Sequence, residues 1–216
     1  MNSIIIIGKG SSVGRCTKEF VDSHDEVAII NHIVYGGYEH LVSDHADYIF
    51  CNRTGFRYDE SMVKKLGLKE AIFTGKDNQT FDRNVPPVKF IYPKPNLRND
   101  VIENLGMDLS SGMQGLYYLI NQKKYDKISL VGFDFYELGS TPYYFKPEEA
   151  PNELKYLWGK EYSGNKINVP SGHNTDKSIE VLLGLIGDEE GIEFEMITNN
   201  SVLKETKLEN LKIWVE

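Results

Sequence analysis

Ser3-Ile-Ile-Ile-Ile7 runs without a polar break into Gly8-Lys-Gly-Ser-Ser-Val-Gly14. A β-branched run that is apolar at consecutive positions has no wet face, so it fits a strand covered on both sides, as in a parallel sheet between helices. It is too short for a membrane span or for the apolar region of a signal peptide. Similar runs at residues 26–31 and 47–51 read as strands two and three. Further strands are predicted at 70–74, 88–92, 127–131 and 193–197, and helices at 16–23, 99–105 and 111–121. Ile179, Leu182, Leu183 and Ile186 fall at i, i+3, i+4 and i+7, one face of a helix capped by Asn174 or Thr175 and ending near Gly187. Such alternation predicts an α/β fold, one domain over residues 1–216. Between 145 and 168 the periodicity fails, and that stretch reads as a disordered loop or as an active-site lid with its own aromatic residues.

Composition narrows the function. Lys and Arg number 24 against 32 Asp and Glu, a net charge of −8, which argues against nucleic acid as the main partner. With 40% hydrophobic residues, 13 Tyr and 10 Phe, the chain is expected to fold. Cys16 and Cys51 are the only cysteines, so a disulfide framework and a Cys-rich zinc site are excluded, and a reduced, cytoplasmic setting is expected. No later apolar run predicts a transmembrane segment. The spacings of His32, His40 and His45 match no zinc-ligand pattern.

In an open parallel sheet the ligand crevice lies beyond the carboxyl ends of the strands, so the residues that end each strand carry the information. Here they are Gly8-Lys9-Gly10, Asn31, Asn52 and Gly132-Phe-Asp134. A strand leading through glycines into a helix suits an anion, because free N–H groups and a positive dipole end meet there. The same glycines are also explained by a tight turn alone. Gly8, Gly10 and Gly14 give GxGxxxG, one residue longer than the dinucleotide pattern, and Asn31 replaces the acidic residue that would hold an NAD ribose. Asn31 and Asn52 offer neutral donors and acceptors for ribose, base or sugar groups, and read equally well as turn formers. His173 follows Pro170-Ser-Gly172 at a helix start, where the dipole favours a neutral ring able to accept a proton. A histidine in that place is also explained as a purely structural cap.

Six segments decide between these readings by their order. They are Ser110-Ser-Gly112 with its helix, Ile128-Ser-Leu-Val-Gly-Phe-Asp-Phe-Tyr136, Gly139-Ser-Thr-Pro-Tyr143-Tyr-Phe145, Gly172-His-Asn-Thr-Asp176, Asn199-Asn-Ser-Val-Leu203 and, near the start, Gly8-Lys-Gly-Ser-Ser12. The set resembles the bacterial sialyltransferases of glycosyltransferase family 42. That family carries a (Thr/Ser)-Ser-Gly helix start, a strand ending Gly-Ile-Asp-Phe-Tyr, a nearby Tyr-x-Phe, a Gly-His-Ser segment, a terminal Asn-Ser-Leu-Leu and an early Gly-Asn-Gly-Pro-Ser. Asn31 and Asn52 fall where its two strand-end asparagines lie. The likeness covers nearly the whole chain, to about Leu203.

The resemblance implies a single Rossmann-like domain, with residues 146–168 as a lid that orders over a CMP-activated acidic sugar. It implies an inverting, metal-independent glycosyltransferase that moves sialic acid or a related sugar to a glycan hydroxyl. His173 would be the base, and Tyr136 and Tyr143 would hydrogen-bond the departing phosphate. Gly8, Lys9, Gly10, Asn31, Asn52, Ser110, Ser111, Gly132 and Asp134 would bind the donor. No cofactor or metal is expected, and the sequence contains no Asp-x-Asp pair. Homo-oligomerisation is suggested only by relatives. Three departures stand out: Lys9 replaces an asparagine, Asp108 stands where the family has an arginine, and a long basic C-terminal extension is lacking, which predicts a soluble protein. The competing readings are an NAD-linked oxidoreductase, resting on the glycine turn, and a catalytically inactive nucleotide- or glycan-binding module.

Overall fold

The computed structural model describes residues 1–32, 41–42, 44–52, 56, 58–75, 88–135 and 174–214. The described strands are β1 (Ser3–Ile7), β2 (Glu26–Ile30), β3 (Tyr48–Cys51), β4 (Glu70–Phe73), β5 (Lys89–Ile91), β6 (Lys127–Val131), β7 (Glu193–Ile197) and β8 (Leu211–Ile213). They form one sheet in the order β5-β4-β3-β2-β1-β6-β7-β8, and every pairing is parallel. The expected parallel sheet is therefore present, with β8 as an additional edge strand.

The opening isoleucines explain why β1 is central. Ile4 and Ile6 face a core with Phe50, Leu116, Leu182 and Ile186, whereas Ile5 and Ile7 face a second core with Val27, Ile49, Val63 and Leu66. All four isoleucines are at most 1% exposed. At roughly 1.5–3 kcal/mol for each fully buried aliphatic side chain, neither face can be left wet.

Helices α1 (Lys18–Asp22) and α2 (Glu60–Leu66) supply the second core, while α3 (Leu97–Leu105), α4 (Ser111–Gln122) and α5 (Thr175–Gly187) supply the first. A short α6 (Ser201–Lys204) follows β7. The predicted helix at 16–23 is corrected: a five-residue 3₁₀ helix, Ser11–Arg15, comes first, and α1 starts only after Thr17, whose side chain accepts from Phe20 N. Thr17 is extended, with φ −115° and ψ 154°, so it breaks any single helix through this region.

The chain builds β1 to β5 outward in one direction and then crosses to β6 on the other side of β1. The strand order thus reverses between β1 and β6, and the carboxyl ends of the strands at such a point are where open α/β sheets bind ligands.

Candidate functional site

At the reversal point two turns are pressed together. Gly8 N donates to Val131 O at 2.7 Å and Gly10 N to Gly132 O at 3.0 Å. A Cβ on Gly8 would stand 2.6 Å from Gly132 O, and one on Gly10 2.5 Å from Asp134 Oδ2. Gly132 itself has φ +78°, a left-handed conformation that glycine adopts without penalty. These three glycines are required by backbone approach. Gly14 is not, since a Cβ there would meet nothing within 4 Å.

The same contacts correct one expectation about the turn. Ser12 N donates to Asp134 Oδ2 at 2.7 Å and Val13 N to Gly10 O at 3.1 Å, so four N–H groups, those of residues 8, 10, 12 and 13, are spent within the protein. They are not donors for a phosphate. The turn also leads into a 3₁₀ helix of five residues and not into a long α-helix, which removes the dipole that dinucleotide binding exploits.

Asn31 directly follows β2 with φ +54°, a left-handed conformation in which asparagine is enriched among non-glycine residues. Its backbone is fixed by Asn31 N donating to Phe50 O at 2.9 Å and by Tyr58 Oη donating to Asn31 O at 3.2 Å. Asn52 N donates to Asn31 Oδ1 at 3.4 Å, so the two strand-end asparagines adjoin. Asn31 therefore forms the turn after β2, and its side-chain oxygen is engaged by Asn52 N.

The start of α4 packs against the same strand ends. Ser110 caps this helix, its Oγ accepting from Met113 N at 3.4 Å, and Ser111 Oγ accepts from Thr74 Oγ1 at 2.9 Å. A Cβ on Gly112 would lie 3.1 Å from the Phe133 ring and 3.6 Å from Ile30 Cγ1, which sets the first turn of α4 against the ends of β6 and β2. The positive end of a twelve-residue helix thus adjoins the ends of β2 and β6.

Lys9 is partly exposed between the two constrained glycines, and desolvation lowers its ammonium to about 8. Asp108 does not stand alone: Arg98 Nε donates to Asp108 Oδ1 at 2.7 Å and Nη2 to Oδ2, a two-point pair that offsets its charge. Asp134 is 4% exposed, and both its oxygens accept bonds from the protein.

Tyr136, Tyr143, His173 and residues 146–168 lie outside the described residues. Their described neighbours can be placed. Phe135 follows β6, and Asn174, next after His173, caps α5 by accepting from Lys177 N at 3.0 Å. The other end of α5 leads into the start of β7, so Asn174 stands on the carboxyl side of the sheet, as Gly10, Asn31 and Ser110 do.

Sequence reasoning missed Thr74 and Thr198, and it placed Ser12 and Asn199 within motifs without giving them a role. Thr74 and Thr198 directly follow β4 and β7, so the strand-end rule, applied to those two strands, would have found them. Among the described residues no cluster of three His, Cys, Asp or Glu is placed to hold a metal, and no helix is long and apolar enough to cross a membrane.

No family model matches the sequence, and a comparison with curated proteins gives no significant match. Solved structures do match. The monofunctional alpha-2,3-sialyltransferase Cst-I from Campylobacter jejuni superposes with a TM-score of 0.64 at 16% identity, covering 100% of this chain and 81% of that one. Campylobacter jejuni sialyltransferase CstII, in complex with the substrate analogue CMP-3FNeuAc, gives 0.62 at 18% identity over 96% of this chain and 86% of that one. A mammalian sialyltransferase in complex with Gal-beta-1-3GalNAc-ortho-nitrophenol gives 0.53 at 15% identity over 89% and 68%. The chain shares the fold of these sialyltransferases.

Proposed function

We propose that the protein is an inverting, metal-independent glycosyltransferase that moves sialic acid or a related acidic sugar from a CMP donor to a glycan hydroxyl. One observation supports this reading: Gly8, Gly10, Gly132 and Asp134, strand-end residues named from the sequence, meet at the reversal point of a fold shared with sialyltransferases, one of them holding CMP-3FNeuAc. In this reading Asn31, Asn52, Ser110 and Ser111 bind the donor with neutral groups, and the first turn of α4 and Lys9 offset its charge. Gly8, Gly10 and Gly132 shape the floor of that site.

Transfer follows from the proposed roles. His173 takes the proton of the acceptor hydroxyl as its oxygen bonds to the anomeric carbon from the face opposite the phosphate. The bond from that carbon to the phosphate oxygen breaks, and CMP departs with the electron pair. Tyr136 and Tyr143 donate to the charge that develops on the phosphate. Donors aimed at such charge typically contribute about 10²-fold or more each, which is how tyrosines can replace a metal for a monophosphate leaving group.

A thermal-shift panel of CMP, CDP, UDP, GDP and NAD, each with magnesium and with EDTA, tests the reading. CMP is expected to raise the melting temperature equally in both conditions. Silence toward CMP with a clear response to another nucleotide would overturn it.

A further inference from the structure

Asp134 lies just beyond β6 and is 4% exposed. Its Oδ2 accepts from Ser12 N at 2.7 Å and from Ser11 Oγ at 3.3 Å. Its Oδ1 accepts from Asn199 N at 2.8 Å and shares the Thr198 hydroxyl, 3.1 Å away, with Phe133 O, also at 3.1 Å. Its backbone oxygen accepts from Asn200 Nδ2 at 3.3 Å. Among the described residues no Lys or Arg pairs with it, so a buried carboxylate is held by four neutral donors drawn from two other strand ends.

The surrounding bonds follow the same plan. Ser12 Oγ accepts from Gly132 N at 3.1 Å and donates to Ile197 O at 3.0 Å, and Asn199 Nδ2 donates to Ser11 Oγ at 2.9 Å. Arg15 Nη1 donates to Thr198 O at 2.9 Å. The turns after β1, β6 and β7 therefore share one largely buried network in which, among the described residues, Asp134 alone accepts from both of the other turns through side-chain oxygens.

Resting on the proposed CMP-donor reading, we propose that Asp134 is a positioning residue of the donor site and does not bind donor itself. Its carboxylate fixes the Gly8–Ser12 turn against Gly132 from behind, in the conformation that receives the nucleotide. A neutral side chain cannot do this in full, because four donors converge and an amide would present N–H₂ to two of them. A buried carboxylate near an anion site is otherwise counterproductive, since its charge repels the ligand. Its retention is explained if the geometry it imposes outweighs that repulsion.

Asp134→Asn separates the two effects. Calorimetric titration with CMP, well below the unfolding temperature, is expected to give a Kd raised about tenfold, the scale of one lost charge-assisted hydrogen bond. Thr198→Val, which removes a single hydroxyl donor, is expected to raise Kd about two- to threefold, and it carries the test if the Asn variant fails to fold. An unchanged or tighter Kd in a folded variant would overturn the proposal: unchanged means a purely structural role, tighter means that charge repulsion dominates. If the wild type gives no heat with CMP, the donor reading has failed, and hydrogen exchange then decides. Residues 8–15 are expected to lose protection in the variant while β2 and β3 keep theirs, and equal protection in both proteins would refute the clamp.

Discussion

A methyl group at Gly10 would fall 2.5 Å from Asp134 Oδ2 and 2.7 Å from Gly132 O, two groups that the network holds in place. Gly10 has φ −62°, so its backbone would accept any residue, and only the lack of space demands glycine. Gly10→Ala is expected to cost about 2 kcal/mol, a melting temperature lower by roughly 4–8 °C, and to weaken CMP binding. Gly14→Ala is expected to stay within about 0.5 kcal/mol of wild type, because its Cβ is unopposed. Thermal unfolding of the two variants side by side checks this, and equal losses would contradict it. GxGxxxG was legible as a pattern, but which glycine is obligatory was not, since that depends on Gly132 and Asp134, more than a hundred residues away. The partner role of Asp134 was hidden for the same reason: an acidic residue at a strand end looks the same whether it faces ligand or protein.

At the scale of elements, one histidine ties α1 to the sheet. His24 is 6% exposed, with Nδ1 2.9 Å from Phe20 O and Nε2 2.7 Å from Ser129 Oγ. Burial, the largest influence, together with Lys127, lowers its pKa below the usual 6.5, against the carbonyls of Phe20 and Val21 and the charge of Glu195, which raise it. As the pH falls through 6.5, the unfolded chain takes up a proton that the folded chain resists, so stability present above 6.5 is lost below it. Urea midpoints between pH 7.5 and 5.5 are expected to decline, with a shallower decline in His24→Gln. Parallel declines would place the effect elsewhere. The elements themselves were largely readable. Seven strands and the α3, α4 and α5 helices fall where apolar runs and periodicity put them, because their signals are local. Helix α2 was missed although Asp59 caps it, accepting from Met62 N at 2.8 Å, and Gly67 closes it with φ +64°, both visible as sequence signals. β8 was missed because three residues carry no period, and only pairing with β7 makes them a strand.

For the whole molecule the tension is electrostatic. A chain with net charge −8 is proposed to hold a donor that carries a phosphate and a carboxylate. Four amides of the glycine turn, those of residues 8, 10, 12 and 13, do not resolve this, since they are committed to the protein. In the proposed reading the start of α4, the serine and asparagine side chains, Lys9 and the two tyrosines do so, with Arg98 offsetting Asp108 nearby. Fold and charge together therefore lead to one decisive reaction. CMP-sialic acid and related CMP-activated sugars are incubated with the protein and a panel of glycan acceptors in EDTA, and CMP and glycosylated product are quantified for wild type and His173→Ala. The account predicts equimolar CMP and product from the wild type, a fall of about 10²-fold or more in the variant, and CMP affinity unchanged within a few fold. CMP binding without product, or undiminished transfer by His173→Ala, would contradict it.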